Sequence, residues 1–241
     1  MDDFSVHHHS HQPLKTLVFN GWAAGAEIWN ATSFSRDWTF SYIEQLDGLA
    51  EKVIDDSSRV LLVGFSMGGA NALKMLLSKR EKICGAVFVS ASVRMMEERA
   101  EIEEGETKGR LLWRGMSERR LAALKHGTEL VYSNDPSPLY SKENLERGLH
   151  FLRTTDLREE LERFSSTQEA RTLPVAIVSC ERDGIVSADN TNFLKRVFPS
   201  SVFYSVQGNE HTLPVVAPET IDRAVEAVKQ MLFKKGASNE V

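Results

Sequence analysis

Apolar residues along this chain fall into two alternating patterns. Short, nearly continuous apolar runs occur at Leu14–Phe19, Arg59–Phe65, Cys84–Ser90, Leu173–Ser179 and Ser201–Val206. Runs of this length, rich in Val, Leu, Ile and Phe, predict strands buried on both faces of a parallel sheet. Between them the apolar positions recur with the helical period. Ser41–Ile54 places Ile43, Leu46, Leu49 and Val53 on one face, and Gly69–Leu77, Asp189–Val197 and Glu219–Phe233 carry the same repeat. Strands alternating with helices predict an α/β fold, with a mostly parallel central sheet flanked by helices.

One stretch breaks the alternation. From Ser92 to Arg171 no segment reads as a strand; helical patterns rich in Glu, Arg and Leu are broken at Gly105, Gly109, Gly115, Gly127 and Asp135-Pro136-Ser137-Pro138. The stretch is too long for one crossover between neighbouring strands. It is read as a helical lid, 92–171, inserted between core segments 14–91 and 172–241, with 1–13 as a leader. The other reading is a set of crossover helices belonging to the sheet.

Composition narrows the class. The 241 residues are 41% hydrophobic and 26% charged, enough to build a core without a membrane segment. A net charge of -5 argues against a nucleic-acid binder. The acidic start, Met1-Asp2-Asp3, lacks the apolar stretch of a signal peptide, and no run suits a transmembrane helix, so a cytoplasmic protein is expected. Cys84 and Cys180 end apolar runs and read as reduced core thiols rather than a disulfide. His7, His8, His9 and His11 form a tract that is read as part of the leader, with metal binding as the alternative.

The chemistry centres on Gly64-Phe65-Ser66-Met67-Gly68-Gly69, between an apolar run and a helical one. Gly-x-Ser-x-Gly at a strand-to-helix turn exposes a serine hydroxyl at the strand's end, beside the positive end of the helix. A serine nucleophile needs a base within hydrogen-bond reach and an acid to orient that base. Both follow later strands here. Cys180-Glu181-Arg182-Asp183 comes after one, and Gln207-Gly208-Asn209-Glu210-His211 after the last. His211 is the expected base, with His126 and His150 as competitors. Asp183 is the expected acid, with Glu181 and Asp189 as alternatives. Protonated imidazole cannot take the serine proton, so activity is expected to fall on acidification. The oxyanion hole should combine the backbone N–H of Met67 with that of Trp22, in the loop Asn20-Gly21-Trp22-Ala23 after the first strand. The Trp22 indole could also wall an acyl pocket.

These residues together resemble the α/β-hydrolase superfamily. Within it, the Asn20-Gly21-Trp22 loop and the segment Gly148-Leu149-His150-Phe151-Leu152-Arg153-Thr154-Thr155-Asp156-Leu157-Arg158 are similar to the pimeloyl-acyl-carrier-protein methyl ester esterases of biotin synthesis. The resemblance implies an α/β-hydrolase fold with an inserted helical lid, and a serine carboxylesterase that needs no cofactor or metal. It assigns Ser66 as nucleophile, His211 as base, Asp183 as orienting acid, and Trp22 and Met67 as oxyanion donors. It implies a small ester substrate, carried by an acyl carrier protein. Asn20 departs from the histidine common in the superfamily at that position. Other chemistries of this fold stay open: a broad short-chain esterase, a C–C hydrolase or a menaquinone-pathway lyase. A non-catalytic ligand-binding module is a further alternative.

Charge in the lid bears on the partner. Lys108, Arg110, Arg114, Arg119, Arg120 and Lys125 face one acid, Glu118, in the same stretch, and Arg147, Arg153 and Arg158 follow. A basic patch there would steer an acidic carrier protein, with Arg114, Arg119, Arg120, Arg147, Arg153 and Arg158 as contacts. Alternatively the patch neutralises the acidic run Glu97–Glu106 just upstream.

Overall fold

The computed structural model describes residues 13–97, 113–132 and 137–237. Strands β1 (Leu14–Phe19), β2 (Trp38–Phe40), β3 (Arg59–Phe65), β4 (Ile83–Val89), β5 (Val175–Cys180) and β6 (Val202–Val206) form one sheet in the order β2-β1-β3-β4-β5-β6. Every neighbouring pair is parallel. The central strands β3, β4 and β5 are almost wholly buried, as their unbroken apolar runs predict.

Helices α1 (Tyr42–Leu46), α2 (Leu49–Asp55) and α3 (Met67–Ser78) connect the first four strands. The helical period across Ser41–Ile54 predicts one helix, but the chain forms two. Gly48 takes φ +77 between them, a left-handed conformation that ends α1 and starts α2. Ile43, Leu46, Leu49 and Val53 still pack against the same core cluster, so the periodicity survives the break. α1 starts with a capping box, in which the Ser41 hydroxyl accepts from the Glu44 N–H and the Glu44 carboxylate accepts from the Ser41 N–H.

After β4 the described chain runs through α4 (Glu118–Tyr132), α5 (Lys142–Thr154), α6 (Arg158–Ser165) and α7 (Gln168–Thr172) before β5. The breaks expected at Gly105, Gly109 and Asp135-Pro136, the charges of Lys108 and Arg110, nearly all of the acidic run and the histidine tract lie outside the described residues. The stretch is not one layer. α6 packs on α3 and on α8 (Ala188–Val197), as a crossover helix does, whereas α5 packs on α1 and α4. α9 (Leu213–Val216) and α10 (Pro218–Ala237) complete the chain.

The sheet separates two apolar clusters. One holds Leu17, Leu62, Phe88 and Ile177 against α1–α3, α5, α6 and α8; the other holds Val18, Val63, Val87 and Val178 against α10. Both cysteines are free thiols, Cys180 buried and Cys84 partly so. Among the described residues no helix is long and apolar enough to cross a membrane.

Candidate active site

Strand order reverses at β1. The chain passes from β1 to β2 on one side, then crosses back to β3 on the other. The crevice outside the carboxyl ends of β1 and β3 is where open parallel sheets bind ligands. Ser66 follows β3 there, and Asn20-Gly21-Trp22 follows β1.

Ser66 is 6% exposed and has φ 56, ψ −120, a conformation that L residues rarely adopt. The glycines around it supply room. A Cβ at Gly64 would lie 2.7 Å from the Gly69 Cα, and one at Gly68 would meet the Phe19 carbonyl and lie 2.5 Å from the Asn20 carbonyl. The first turn of α3 therefore packs directly on the end of β1. Ala23 (φ 53) and Ser90 (φ 41) are also left-handed, at the carboxyl ends of β1 and β4, so non-glycine strain gathers on this rim. The buried Ser90 hydroxyl has no hydrogen-bond partner among the described residues.

Three sequence-predicted residues meet. His211 Nε2 lies 2.9 Å from Ser66 Oγ, and its Nδ1 lies 2.9 and 3.1 Å from the two Asp183 carboxylate oxygens. Asp183 Oδ1 also accepts from the N–H groups of Ile185 at 2.8 Å and Val186 at 3.0 Å. Burial pushes the Asp183 carboxyl up, but the His211 hydrogen bond and charge and these two N–H groups outweigh it, holding the carboxyl below its ordinary range. A carboxylate only accepts, so Nδ1 carries the imidazole proton and Nε2 is left to accept from the Ser66 hydroxyl. The Phe65 ring packs on the His211 ring with centroids 5.0 Å apart.

The alternatives lie elsewhere. Asp189 Oδ2 accepts from the Arg114 N–H at 2.7 Å, and Glu181, His126 and His150 are exposed. Neither the Trp22 nor the Met67 N–H donates to any described residue. Trp22 follows Gly21, where a Cβ would lie 3.2 Å from the Ser66 Cβ. The Trp22 indole does not stand alone as a pocket wall: its Nε1 donates to the Leu145 carbonyl of α5 at 3.1 Å.

The lid arginines divide. Arg147 pairs with Asp47, Arg153 with Glu118, and Arg158 with Asp156. The side chains of Arg114, Arg119 and Arg120 enter no ion pair among the described residues, and a Cβ at Gly184, next to Asp183, would lie 3.4 Å from Arg120 Nη2.

Gln45 and Asn71 were not singled out from the sequence, nor was the hydrogen-bonding role of Asn20. Gln45 Nε2 donates to the Asn20 and Phe40 carbonyls at 3.0 and 3.1 Å, and its Oε1 accepts from Asn71 Nδ2 at 2.8 Å. Asn20 Oδ1 accepts from the Trp29 indole at 2.5 Å. This buried network fixes the β1 loop behind the elbow. Its signal in the sequence is a polar Gln45 amid the apolar face of α1. An open groove of about 690 Å³ between Ser33-Phe34-Ser35 and α10 includes none of the candidate site residues.

Solved structures with this fold include an esterase from Exiguobacterium antarcticum (TM-score 0.64, 15% identity, covering 90% of this chain and 92% of that one). A bromoperoxidase from Bacillus anthracis matches with TM-score 0.60 and 17% identity over 91% of this chain and 93% of that one. A lipase-esterase related protein from Clostridium acetobutylicum matches with TM-score 0.57 and 13% identity over 90% and 94%. At such identities the likeness is one of fold. No curated protein matches the chain in sequence. The family described as serine aminopeptidase, S33, matches residues 34–213, and with that match over most of its length the chain belongs to this α/β-hydrolase family.

Proposed function

We propose that the protein is a serine carboxylesterase working through an acyl-enzyme on Ser66. The observation that carries this reading is the hydrogen-bonded chain from Ser66 Oγ through His211 to the buried Asp183 carboxylate. His211 takes the hydroxyl proton as Ser66 Oγ attacks the ester carbonyl. The Trp22 and Met67 N–H groups stabilise the oxyanion that forms. His211 then gives the proton to the leaving alcohol. Water, deprotonated by His211, attacks the acyl-enzyme and releases the acid and free Ser66.

The substrate proposed is the methyl ester of a pimeloyl chain carried by acyl carrier protein, in biotin synthesis. It is supported by the likeness of the Asn20-Gly21-Trp22 loop and the Gly148–Arg158 segment to that group of esterases, and by Arg114, Arg119 and Arg120, which enter no ion pair among the described residues. Methanol leaves and a free carboxylate remains. The family description favours a second reading, hydrolysis of an aminoacyl amide by the same residues.

Ser66→Ala is expected to abolish turnover of short p-nitrophenyl esters and labelling by a fluorophosphonate. Labelling that persists in Ser66→Ala overturns the acyl-enzyme. Methanol released from the carrier-bound methyl ester, with aminoacyl p-nitroanilides left intact, separates the two substrates. Rescue of a biotin auxotroph lacking its methyl ester esterase, with Ser66→Ala as control, tests the pathway.

A further inference from the structure

The loop that carries Trp22 is anchored at its first residue, where the Asn20 N–H donates to the Phe40 carbonyl and the Asn20 carbonyl accepts from Gln45 Nε2. Within it the hydrogen bonds are one from the Ala24 N–H to the Gly21 carbonyl and one from Asn20 Nδ2 to the Ala24 carbonyl, both 3.3 Å. Ala23 sits in the left-handed region at φ 53. Beyond Asn20, the group of this loop that hydrogen-bonds outside it, among the described residues, is the Trp22 indole. Its Nε1 donates to the Leu145 carbonyl at 3.1 Å, and its five-membered ring lies on the bare face of Gly148, one turn further along α5. A Cβ at Gly148 would clash with Trp22 Cδ1, come within 2.8 Å of Nε1, and lie 3.2 Å from the Tyr42 ring. Glycine inside a helix costs about 1 kcal/mol relative to alanine. Here it makes room for one ring. Gly127, in α4, has nothing within 4 Å of its Cβ position.

α5 is itself fixed to the core. The Tyr42 hydroxyl of α1 donates to the Leu139 carbonyl at 2.5 Å, just before α5 begins, and Arg147 pairs with Asp47 at 2.6 Å. Leu149 and Leu152 are buried in the core cluster. The indole thus ties the part of the loop beyond Asn20 to a well-held helix.

We propose that α5 sets the geometry of the oxyanion hole: Gly148 and the Leu145 carbonyl are positioning groups that hold the Trp22 indole, and through it the Trp22 N–H. This rests on the reading above that this N–H faces the oxyanion. A displaced donor costs rate in the transition state and leaves ground-state binding intact, so the effect belongs in kcat.

The test compares Gly148→Ala with Gly127→Ala on p-nitrophenyl butyrate, with rates referred to titrated active sites. Gly148→Ala is expected to lower kcat about 10-fold or more with KM within about twofold. Affinity for a trifluoromethyl ketone, which forms a tetrahedral oxyanion on serine, should fall in step. Gly127→Ala should change none of these. In a Trp22→Ala background the Gly148→Ala effect on kcat should vanish, because the ring it displaces is gone. An equal loss in both backgrounds, or a rise in KM alone, overturns the proposal. A shift of the Trp22 indole ¹⁵N–H signal in Gly148→Ala with kcat and ketone affinity unchanged also overturns it. That outcome removes Trp22 from the oxyanion hole and leaves the Ser66 acyl-enzyme to its own test. Should Gly148→Ala not fold, Trp22→Phe deletes the Nε1 donor without crowding Gly148 and carries the same expectation of lower kcat at constant KM.

Discussion

Ser66 bears its strain in its own backbone, while the glycines beside it act by being small. That division explains how a serine comes to stand clear of the sheet with its hydroxyl facing His211. Asp183 is the residue whose charge matters most there. Asp183→Asn keeps the shape but offers an amide where the imidazole needs an acceptor. It is expected to cost on the order of 10⁴ in kcat, measured on short esters. The same variant should alter acid stability. The Asp183 carboxyl is held below its ordinary range in the fold, so the ionised group adds stability above the unfolded carboxylate pKa of about 3.9. That contribution disappears as pH falls through the lower, folded value. The Tm gap between wild type and Asp183→Asn should close on acidification below about pH 4, and a gap that widens there would contradict it. Ser66, Asp183 and His211 were legible because each follows a strand, in the chain order Ser, Asp, His. The packing and hydrogen-bond roles of Asn20, Gln45, Asn71 and Gly148 were not, because they depend on partners far away in sequence.

At the scale of elements, continuous apolar runs located five strands to within two residues at each end. β2 escaped notice because three residues are too few to show a period; its Trp38 and Phe40 rings, 5.7 Å apart, are its trace. The split between α1 and α2 escaped because the apolar period runs straight through Gly48. The turn between α5 and α6 is held by charge. Asp156 accepts from Arg94 Nη1 at 2.7 Å and from Arg158 Nη2 at 2.8 Å, while the Arg158 guanidinium lies 5.2 Å from the centre of the Trp113 ring. Burial pushes the Asp156 carboxyl up, but its hydrogen bonds to Arg158 and the charges of Arg158 and Arg94 bring it below its usual range. Asp156 is more than a third exposed, so solvent screens the pair and Asp156→Asn should cost only about 1 kcal/mol at neutral pH. Chemical denaturation should find that cost at pH 7 and a progressively smaller one as pH falls below the unfolded carboxylate pKa of about 3.9, since the depressed pKa makes this stability one of the ionised form.

Over the whole molecule, the net charge is -5, while Arg114, Arg119 and Arg120 enter no ion pair among the described residues, and the proposed carrier docking rests on these three. Reversing Arg114, Arg119 and Arg120 to Glu should raise KM for a carrier-bound ester about 10-fold at low salt. Turnover of short free esters should stay unchanged. Equal effects on both substrates would refute carrier docking. The lid also bears on how the sheet closes. The chain leaves β4 at Val89 and returns to pair with it at Val175, and the β4–β5 ladder runs only from Ala86 to Val89. This short seam closes the largest loop between neighbouring strands, and α10 lies across it against β4, β5 and β6. Closure entropy grows only with the logarithm of loop length, so doubling the lid would cost the seam about 0.6 kcal/mol. Ser66 on one side of this stretch and Asp183 and His211 on the other can therefore keep their register while the stretch between them grows or shrinks.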